Sequence, residues 1–509
     1  MQIDLLQIAI FFGITALIGL LTYLKCREPR SHLADQEKDL FLAGGTLSWA
    51  YIAGSITLTN LSTDQLVGMN GNQLLLIAWW EFAAVMGLVI LATVFLPLYY
   101  KHDCTTTTEL LEKRLGGKAL RALISVLFLL GGLFIYLPIM LYTGSLFMQS
   151  LFDIEAPLIF IASAFAVLGA AYALFGGLRA VAVSDTYSGV GLLGFGLLVV
   201  YLALQAIDFD FSGIPAERLT LIGGPDSPIP FATLFTGMLF IQIFYWSFNQ
   251  TITQRAMAAP SIREAQKGVF AAAGIRLMIV PAIIAIPGVV SYKLYGDIGD
   301  AAYGRIVGDV LPAWLTGAFA AMMAAAVLTS FNSALNSAAA LYVCDIHDAY
   351  VAPFFQRQFE FAPSVRSVAT IMTISFVALA VALVPAYSGA DSIINLVQQL
   401  NGLLSMPILS AFFVAIFFRN VSPWAVALAV VIGCVGYGIV SFYFNPVHYI
   451  HMMLATLVAC MAFALLVNAI GFGRIARFTL EDFSTFDLLE KAGGRSGRLG
   501  ETSEQPPAQ

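Results

Sequence analysis

Charge is what this chain has least of. Only 11% of its 509 residues are Asp, Glu, Lys or Arg, where an average soluble domain carries about 25%. By contrast, 59% are hydrophobic and the mean hydropathy is +0.84. That balance excludes an ordinary soluble fold. Cysteine is sparse as well: Cys26, Cys104, Cys344, Cys434 and Cys460 fall without C-x-x-C spacing, so neither a disulfide framework nor a thiolate metal site is suggested. H-E-x-x-H, the P-loop and G-x-S-x-G are all missing, which leaves an ATP-driven pump or a hydrolase of known motif without support; no enzyme is expected. Neither a nucleic-acid partner nor an obligatory protein partner is expected.

Two weaker matches are set aside on physical grounds. Gly189-Val-Gly-Leu-Leu-Gly194 fits G-x-G-x-x-G but lies in an apolar span with no strand before it, so it reads as a close helix-packing face. His448 and His451 are three residues apart with no third ligand, and they read as structural.

What the chain has instead is long apolar runs. Each crossing of a bilayer needs roughly 20 apolar residues, and the runs make about thirteen such helices, so the chain is an all-α polytopic membrane protein embedded in the lipid bilayer. They lie near residues 4–24, 46–69, 75–99, 119–150, 156–176, 182–206, 229–252, 269–292, 311–344, 365–386, 391–418, 422–443 and 447–471. Residues 1–472 are expected to form one transmembrane domain and 473–509 a polar cytoplasmic tail, too short for an output domain. Met1–Leu24 lacks a basic n-region and a cleavage site, so it reads as a retained helix.

The net charge of −6 says little, because orientation follows the placement of Lys and Arg. Lys25, Arg27, Arg30 and Lys38 follow the first helix; Lys101, Lys113, Arg114 and Lys118 the third; Arg179 the fifth; Arg255, Arg263 and Lys267 the seventh. Arg357 and Arg366 follow the ninth, Arg419 the eleventh, and Arg474 with Arg477 the thirteenth. All these loops fall on one side, and the alternate loops are acidic or neutral. The chain is therefore expected in the cell inner (plasma) membrane with its N-terminus outside and its C-terminus in the cytoplasm.

One span has the wrong middle. Within Ser55–Gly71, the residues Thr57, Thr59, Asn60, Ser62, Thr63, Asp64 and Gln65 are polar at bilayer depth, where an aspartate costs roughly 2.5–3.5 kcal/mol even on lenient insertion scales. Such a run predicts a broken helix, whose freed carbonyls can ligate a hard cation such as Na⁺. A second interruption, Gln242–Gln250, opens a second five-helix group. The groups 46–206 and 229–418 each hold an odd number of helices, so the second enters from the opposite face, as inverted repeats with a midplane site do.

Other polar residues at depth complete the candidate sites. Thr329, Ser330 and Ser333 offer hydroxyls on one helix, which suit either Na⁺ or close helix packing; Asp185 at depth needs a cation, a proton or a donor partner. Gln65, Glu81, Gln242, Arg276 and Gln398 are long-armed hydrogen-bonding residues on five spans, and a polyhydroxylated solute requires such a set. Each by itself equally suits a bond to a neighbouring helix. Trp80, Tyr136, Tyr245 and Trp246 suit stacking on a ring or closing a gate.

Phe41-Leu-Ala-Gly-Gly, Asn60-Leu-Ser-Thr-Asp-Gln-Leu-Val-Gly68, Gly176-Gly-Leu-Arg-Ala-Val-Ala-Val-Ser-Asp185, Tyr245-Trp-Ser-Phe-Asn-Gln with Gln254-Arg255, Glu264-Ala-Gln-Lys-Gly268 and Asn332-Ser-Ala-Leu-Asn-Ser337 together resemble the sodium/solute symporter family. The likeness is strongest to its sodium/glucose and sodium/galactose cotransporter branch and runs over most of residues 38–418. The resemblance implies a five-plus-five inverted-repeat (LeuT-like) core and Na⁺-coupled import by alternating access. It implies a sodium site at the carbonyls of Leu58, Leu61 and Ala326 with the hydroxyls of Thr329 and Ser330. Asp185 and Ser333 match positions that some relatives use for a second Na⁺, although Asn332 departs from the hydroxyl found there. The implied sugar positions are Gln65, Trp80, Glu81, Ala84, Tyr136, Gln242, Arg276 and Gln398, with Tyr245 as the inner aromatic gate. Ala84, Tyr136, Gln242 and Arg276 depart from the galactose pattern, so the expected solute is a hexose or an acidic sugar, the latter because Arg276 can pair with a carboxylate or sulfate. The alternatives are an organic-anion importer and, less favoured, a nutrient sensor.

Overall fold

The arrangement of spans is seen in a computed structural model that describes residues 5–26, 41–359, 365–389, 392–444 and 447–480, with the side chains of 171–177, 358–359 and 365–366 excepted. The chain begins with α1 (Leu5–Cys26), then α2 (Trp49–Asn60) and α3 (Thr63–Gly71), α4 (Leu75–Lys101), α5 (Glu109–Leu115), α6 (Lys118–Phe152) and α7 (Leu158–Ala206). After the short α8 (Ala216–Leu219) come α9 (Gly237–Ser247), α10 (Gln250–Met257), α11 (Ile262–Tyr295), α12 (Ala302–Val310) and α13 (Ala313–Arg357). The helices α14 (Val365–Leu383), α15 (Ile393–Phe417), α16 (Pro423–Phe444) and α17 (Tyr449–Phe472) complete the set. A two-residue ribbon, β1 (Phe418–Arg419) with β2 (Arg477–Phe478), is antiparallel and folds the segment after α17 onto the end of α15.

Among the described residues, ten helices are long and apolar enough to cross a membrane, where about thirteen crossings were expected. The shortfall is itself structural. The expected spans 46–69 and 229–252 are each broken into two short halves, and the expected span 156–176 is continuous with its successor in α7. Both parts of α7 nonetheless pack on one partner: Gly169 lies against Phe331 and Gly191 against Met322 of α13. Those partners are nine residues apart, about 14 Å along a helix, whereas the glycines are twenty-two apart, about 33 Å if straight. A single straight helix would not bring both glycines to these partners, so the two parts of α7 pack on α13 as separate segments. The tight connection expected at Gly176–Ala180 falls partly on residues whose side chains lie outside those described.

Small residues let the spans approach closely, which is how helices associate where lipid removes the hydrophobic drive. Gly189 packs at van der Waals distance on Leu58, and a β-carbon at Gly54 would meet the Thr186 hydroxyl at 2.6 Å. The glycine run 189–194 is thus the packing face expected of it at Gly189 and Gly191. A β-carbon at Gly87 of α4 would meet the Gln242 carbonyl at 2.5 Å, so the glycine lets α9 lie close beside α4. This contact brings Gln242 level with Trp80 and Glu81.

Candidate functional site

The first break sits where the polar run placed it. Leu61 and Ser62 leave the helical region at φ −78°, ψ 60° and φ −95°, ψ 178°, between α2 and α3. The last carbonyls of α2, Leu58 to Leu61, then have no following turn to donate to them. Leu58 and Leu61 are both fully buried, so these oxygens face protein rather than lipid.

The hydroxyl cluster of α13 is equally buried. Thr329 donates to the Ala326 carbonyl at 3.3 Å, while Ser330 Oγ of α13 and Thr57 Oγ1 of α2 are buried with no hydrogen-bond partner among the described residues. Orphaned hydroxyls of this kind cost about 1–3 kcal/mol each when dry, a cost that an ion ligated there removes. Neutral hydroxyls with freed carbonyls are the donor set that a desolvated Na⁺ takes.

Asp185 and Ser333, expected as a second sodium site, already face a cation of the chain. Arg255 Nε donates to Ser55 Oγ at 2.7 Å, and its Nη2 reaches Asp185 at 3.5 Å and Ser333 Oγ. Ser55 Oγ in turn donates to Asp185 at 2.5 Å. Both ionic groups are fully buried. The sequence reading put Arg255 in a loop; the structure corrects this, because the break after α9 restarts the helix at Gln250 and keeps Arg255 inside the bundle. The signal that could have found it was Asp185 itself, a buried carboxylate on another span lacking a partner.

The solute candidates come together around one cavity. Gln65, Trp80, Glu81, Tyr136, Gln242, Tyr245, Trp246 and Gln398 line about 550 Å³ of space, together with Asn60, Asp64 and Asn401. Gln242 donates to the Trp80 carbonyl at 3.1 Å and accepts from Trp246 Nε1 at 2.8 Å, so its amide is fixed by both aromatics. Gln65 donates to Glu81, and Asn401 donates to Gln398 at 3.3 Å.

Arg276 does not line the cavity. It stands behind Glu81, bonded to its carboxylate at 2.5 Å, to the Thr57 carbonyl at 3.3 Å and over the Trp246 ring at 4.8 Å. Its charge is spent on Glu81, so it is not free for a solute anion. Ala84, one turn beyond, is buried and also outside the cavity. Asn60 and Asp64 belong to the site although the sequence reading assigned them no solute role. The Asn60 amide nitrogen faces the Tyr245 hydroxyl at 2.7 Å while its oxygen faces Arg276.

A second cavity of about 780 Å³ lies beyond, towards the end of α13 and the start of α10, and shares Tyr136, Tyr245 and Asn401 with the first. These three residues are the partition between the two spaces.

Comparison with known proteins decides the class. The family model described as the sodium:solute symporter family matches residues 40–433. The chain belongs to that family. A sodium:solute symporter is a transporter and not an enzyme, and Na⁺ is its coupling ion. The chain is 32% identical over 513 residues to an uncharacterized symporter, YidK, of Escherichia coli (strain K12), covering 95% of this chain and 87% of the relative. It is 29% identical over 466 residues to the sodium/glucose cotransporter of Vibrio parahaemolyticus, covering 84% and 83%. It is 25% identical over 480 residues to the sodium/myo-inositol cotransporter 2 of Oryctolagus cuniculus, covering 84% and 69%. Among solved structures, a Na⁺-coupled sialic acid symporter superposes with a TM-score of 0.76 at 18% identity, covering 92% of this chain and 98% of that one. This likeness establishes the LeuT-like fold of a multi-pass membrane symporter.

Proposed function

We propose that this chain imports a neutral polyhydroxylated ring solute, a monosaccharide foremost, with one Na⁺ per cycle. The observation that carries the proposal is the charge of the cavity. Glu81 is matched by Arg276, Asp64 also lines the wall, and the remaining polar groups are amides and hydroxyls. Carboxylates and amides take the hydroxyl protons of a sugar, while an anionic solute would meet like charge in a desolvated place. That favours neutral sugars over the acidic sugars and organic anions. The relatives named for glucose and myo-inositol support the same class.

The sodium ion is assigned to the Leu58, Leu61 and Ala326 carbonyls with Thr329 and Ser330, and Arg255 serves as the partner of Asp185 and Ser333 in place of a second ion. Tyr245, on the partition, is the inner gate, and Tyr136 and Trp246 flank the solute. Bound Na⁺ steadies the unwound segment and raises solute affinity through linkage. The membrane potential supplies about 2.3 kcal/mol per charge per 100 mV. The distribution of basic loops supports an orientation in the plasma membrane with the N-terminus outside and the C-terminus in the cytoplasm.

The test is uptake into proteoliposomes with and without an inward Na⁺ gradient, over neutral hexoses, cyclic polyols, uronates and carboxylates. Sodium-dependent uptake of a neutral ring solute with a Hill coefficient near one is expected. Uptake confined to uronates or carboxylates overturns the solute class; indifference to Na⁺ overturns the ion assignment.

A further inference from the structure

On the basic side, the segment Thr105–Thr108 between α4 and α5 is not a solvated loop. Thr106, Thr107 and Thr108 are fully buried, and Thr105 is nearly so. Its side chains and its backbone point to two different partners.

The side chains of Thr106 and Thr108 go to Asp345. This fully buried carboxylate accepts from Thr106 Oγ1 at 2.9 Å, from Thr108 Oγ1 and Ser125 Oγ, and from Arg121 Nε at 2.7 Å. Arg121 also pairs with Glu109 at 3.1 Å and Glu112 at 2.9 Å. Asp345 lies on α13, the helix that carries Thr329 and Ser330. It sits in the π-helical stretch Val343–Val351, fifteen residues beyond Ser330 and so about 22 Å along the axis. A π-helical stretch is a place where a helix absorbs a change of register.

The backbone of the segment goes to Gln250. The Gln250 side chain accepts from the Thr107 N–H at 2.8 Å and donates to the Thr105 carbonyl at 3.3 Å. Gln250 is 2% exposed and is the first residue of α10, directly after the break at Phe248 and Asn249 and five residues beyond Tyr245. It also lines the inner cavity that Tyr245 partitions from the solute cavity. The bonds therefore form one chain: the helix α13, Asp345, threonine hydroxyls, threonine backbone, Gln250 and the start of α10, just across the break from Tyr245.

We propose that Thr105–Thr108 is the coupling loop of the symporter, passing the state of the sodium-bearing helix α13 to the break between α9 and α10 that follows Tyr245, with Asp345 and Gln250 as positioning residues at its ends. The network is buried at both ends. Removing the Gln250 amide leaves the Thr107 N–H and the Thr105 carbonyl without their partner, and removing the Thr106 and Thr108 hydroxyls takes two of the four donor side chains from Asp345, so either end of the network can be cut separately. The proposal rests on the sodium-coupled reading above.

The experiment uses Na⁺ alone as the probe on the full chain in lipid nanodiscs. A reporter, Ser337→Cys, lines the inner cavity, and its labelling by a thiol reagent is read by mass at residue 337, in Na⁺ against K⁺. Na⁺ occupancy is measured separately by direct binding. With the reporter alone, Na⁺ is expected to change the labelling rate at least about fivefold, the lower bound of an ordinary coupling energy. Adding Gln250→Ala, or Thr106→Val with Thr108→Val, should bring that ratio within about twofold while Na⁺ still binds. Thr106→Ser with Thr108→Ser should retain the full ratio, and Gln250→Ala combined with Asp345→Asn should lose no more than either alone. Gln250→Ala leaves the Arg121 ion pairs intact, so it separates coupling from folding. If the reporter alone shows no Na⁺ effect, the transport reading fails. If it shows one and the Gln250 and valine variants keep it, the coupling loop is refuted.

Discussion

The protein buries two arginines, and they do opposite things with the same chemistry. Arg276 pairs with Glu81 at the wall of the solute cavity, so Glu81 presents an oriented, charge-balanced acceptor to that space. Arg255 pairs with Asp185 beside the sodium-site candidates and joins α2, α7, α10 and α13 through Ser55, Asp185 and Ser333. A buried pair seldom adds net stability over apolar packing, yet it fixes geometry. On the proposed function one pair fixes what the solute meets, and the other fixes how the broken helices meet the scaffold.

The largest effects should come from breaking either pair outright. Arg276→Met or Arg255→Met strands a carboxylate in a dry site, a loss of about 3–5 kcal/mol. Both variants should show sharply lower yield of folded protein and a lower unfolding temperature in detergent. Neutralising the acid while keeping its shape separates the two roles. Glu81→Gln should weaken solute binding about tenfold to a hundredfold, the worth of a hydrogen bond to a charged group, and leave the Na⁺ midpoint alone. Asp185→Asn should shift the Na⁺ midpoint and leave solute affinity at saturating Na⁺ nearly unchanged. Titrations of both ligands on both variants check this, and a crossed result would erase the distinction. A smaller change is expected for Asp64→Asn, which removes one negative charge from the cavity wall. At an effective dielectric near 20, discrimination against a uronate should fall by a factor of about five to ten, read as inhibition constants for a uronate and its neutral parent sugar.

The smallest expected effect concerns Asp300, beyond the end of α3. Asp300 packs on Gly71 at the end of α3 and accepts from the Ile393 N–H at 3.1 Å, while Tyr142 faces it. Burial pushes its carboxyl up to about 6 against the opposing pull of that N–H. The state in which Asp300 packs on Gly71 and Ile393 therefore binds a proton more tightly than a solvated aspartate does. Its contribution to holding that contact is fully present below about pH 4 and is lost as pH rises through about 6. Labelling of Met69→Cys, in the cavity beneath, by a membrane-impermeant thiol reagent should be slower at pH 5 than at pH 7.5, relative to an exposed cysteine. Asp300→Asn should abolish that difference.

The two arginines also show what the sequence could and could not disclose. The broken helices were legible because a run of polar residues at bilayer depth is too costly to leave facing lipid in an intact helix, and both breaks fall inside the predicted runs. Gln65, Glu81, Gln242 and Gln398 were legible as a set because each is costly alone. Arg255 was not, since a basic residue after an apolar run reads as a loop charge until the break at Phe248 is known. Nor did Arg276 reveal that its charge was already matched, because pairing between distant spans is a property of packing. Thr105–Thr108 lies between the predicted spans 75–99 and 119–150, and only the fold brings Asp345, 237 residues away from Thr108, to its hydroxyls.

The central claim is that carbonyls of the unwound Leu58–Leu61 segment and the hydroxyls of Thr329 and Ser330 jointly hold one sodium ion. It is tested most directly by calorimetric titration of Na⁺ into the purified protein, with Thr329→Ala combined with Ser330→Ala as the comparison. Saturable binding of a single ion that disappears in the double variant, while the variant keeps its unfolding temperature, is the predicted result. Sodium binding of undiminished affinity in that folded variant would contradict the account.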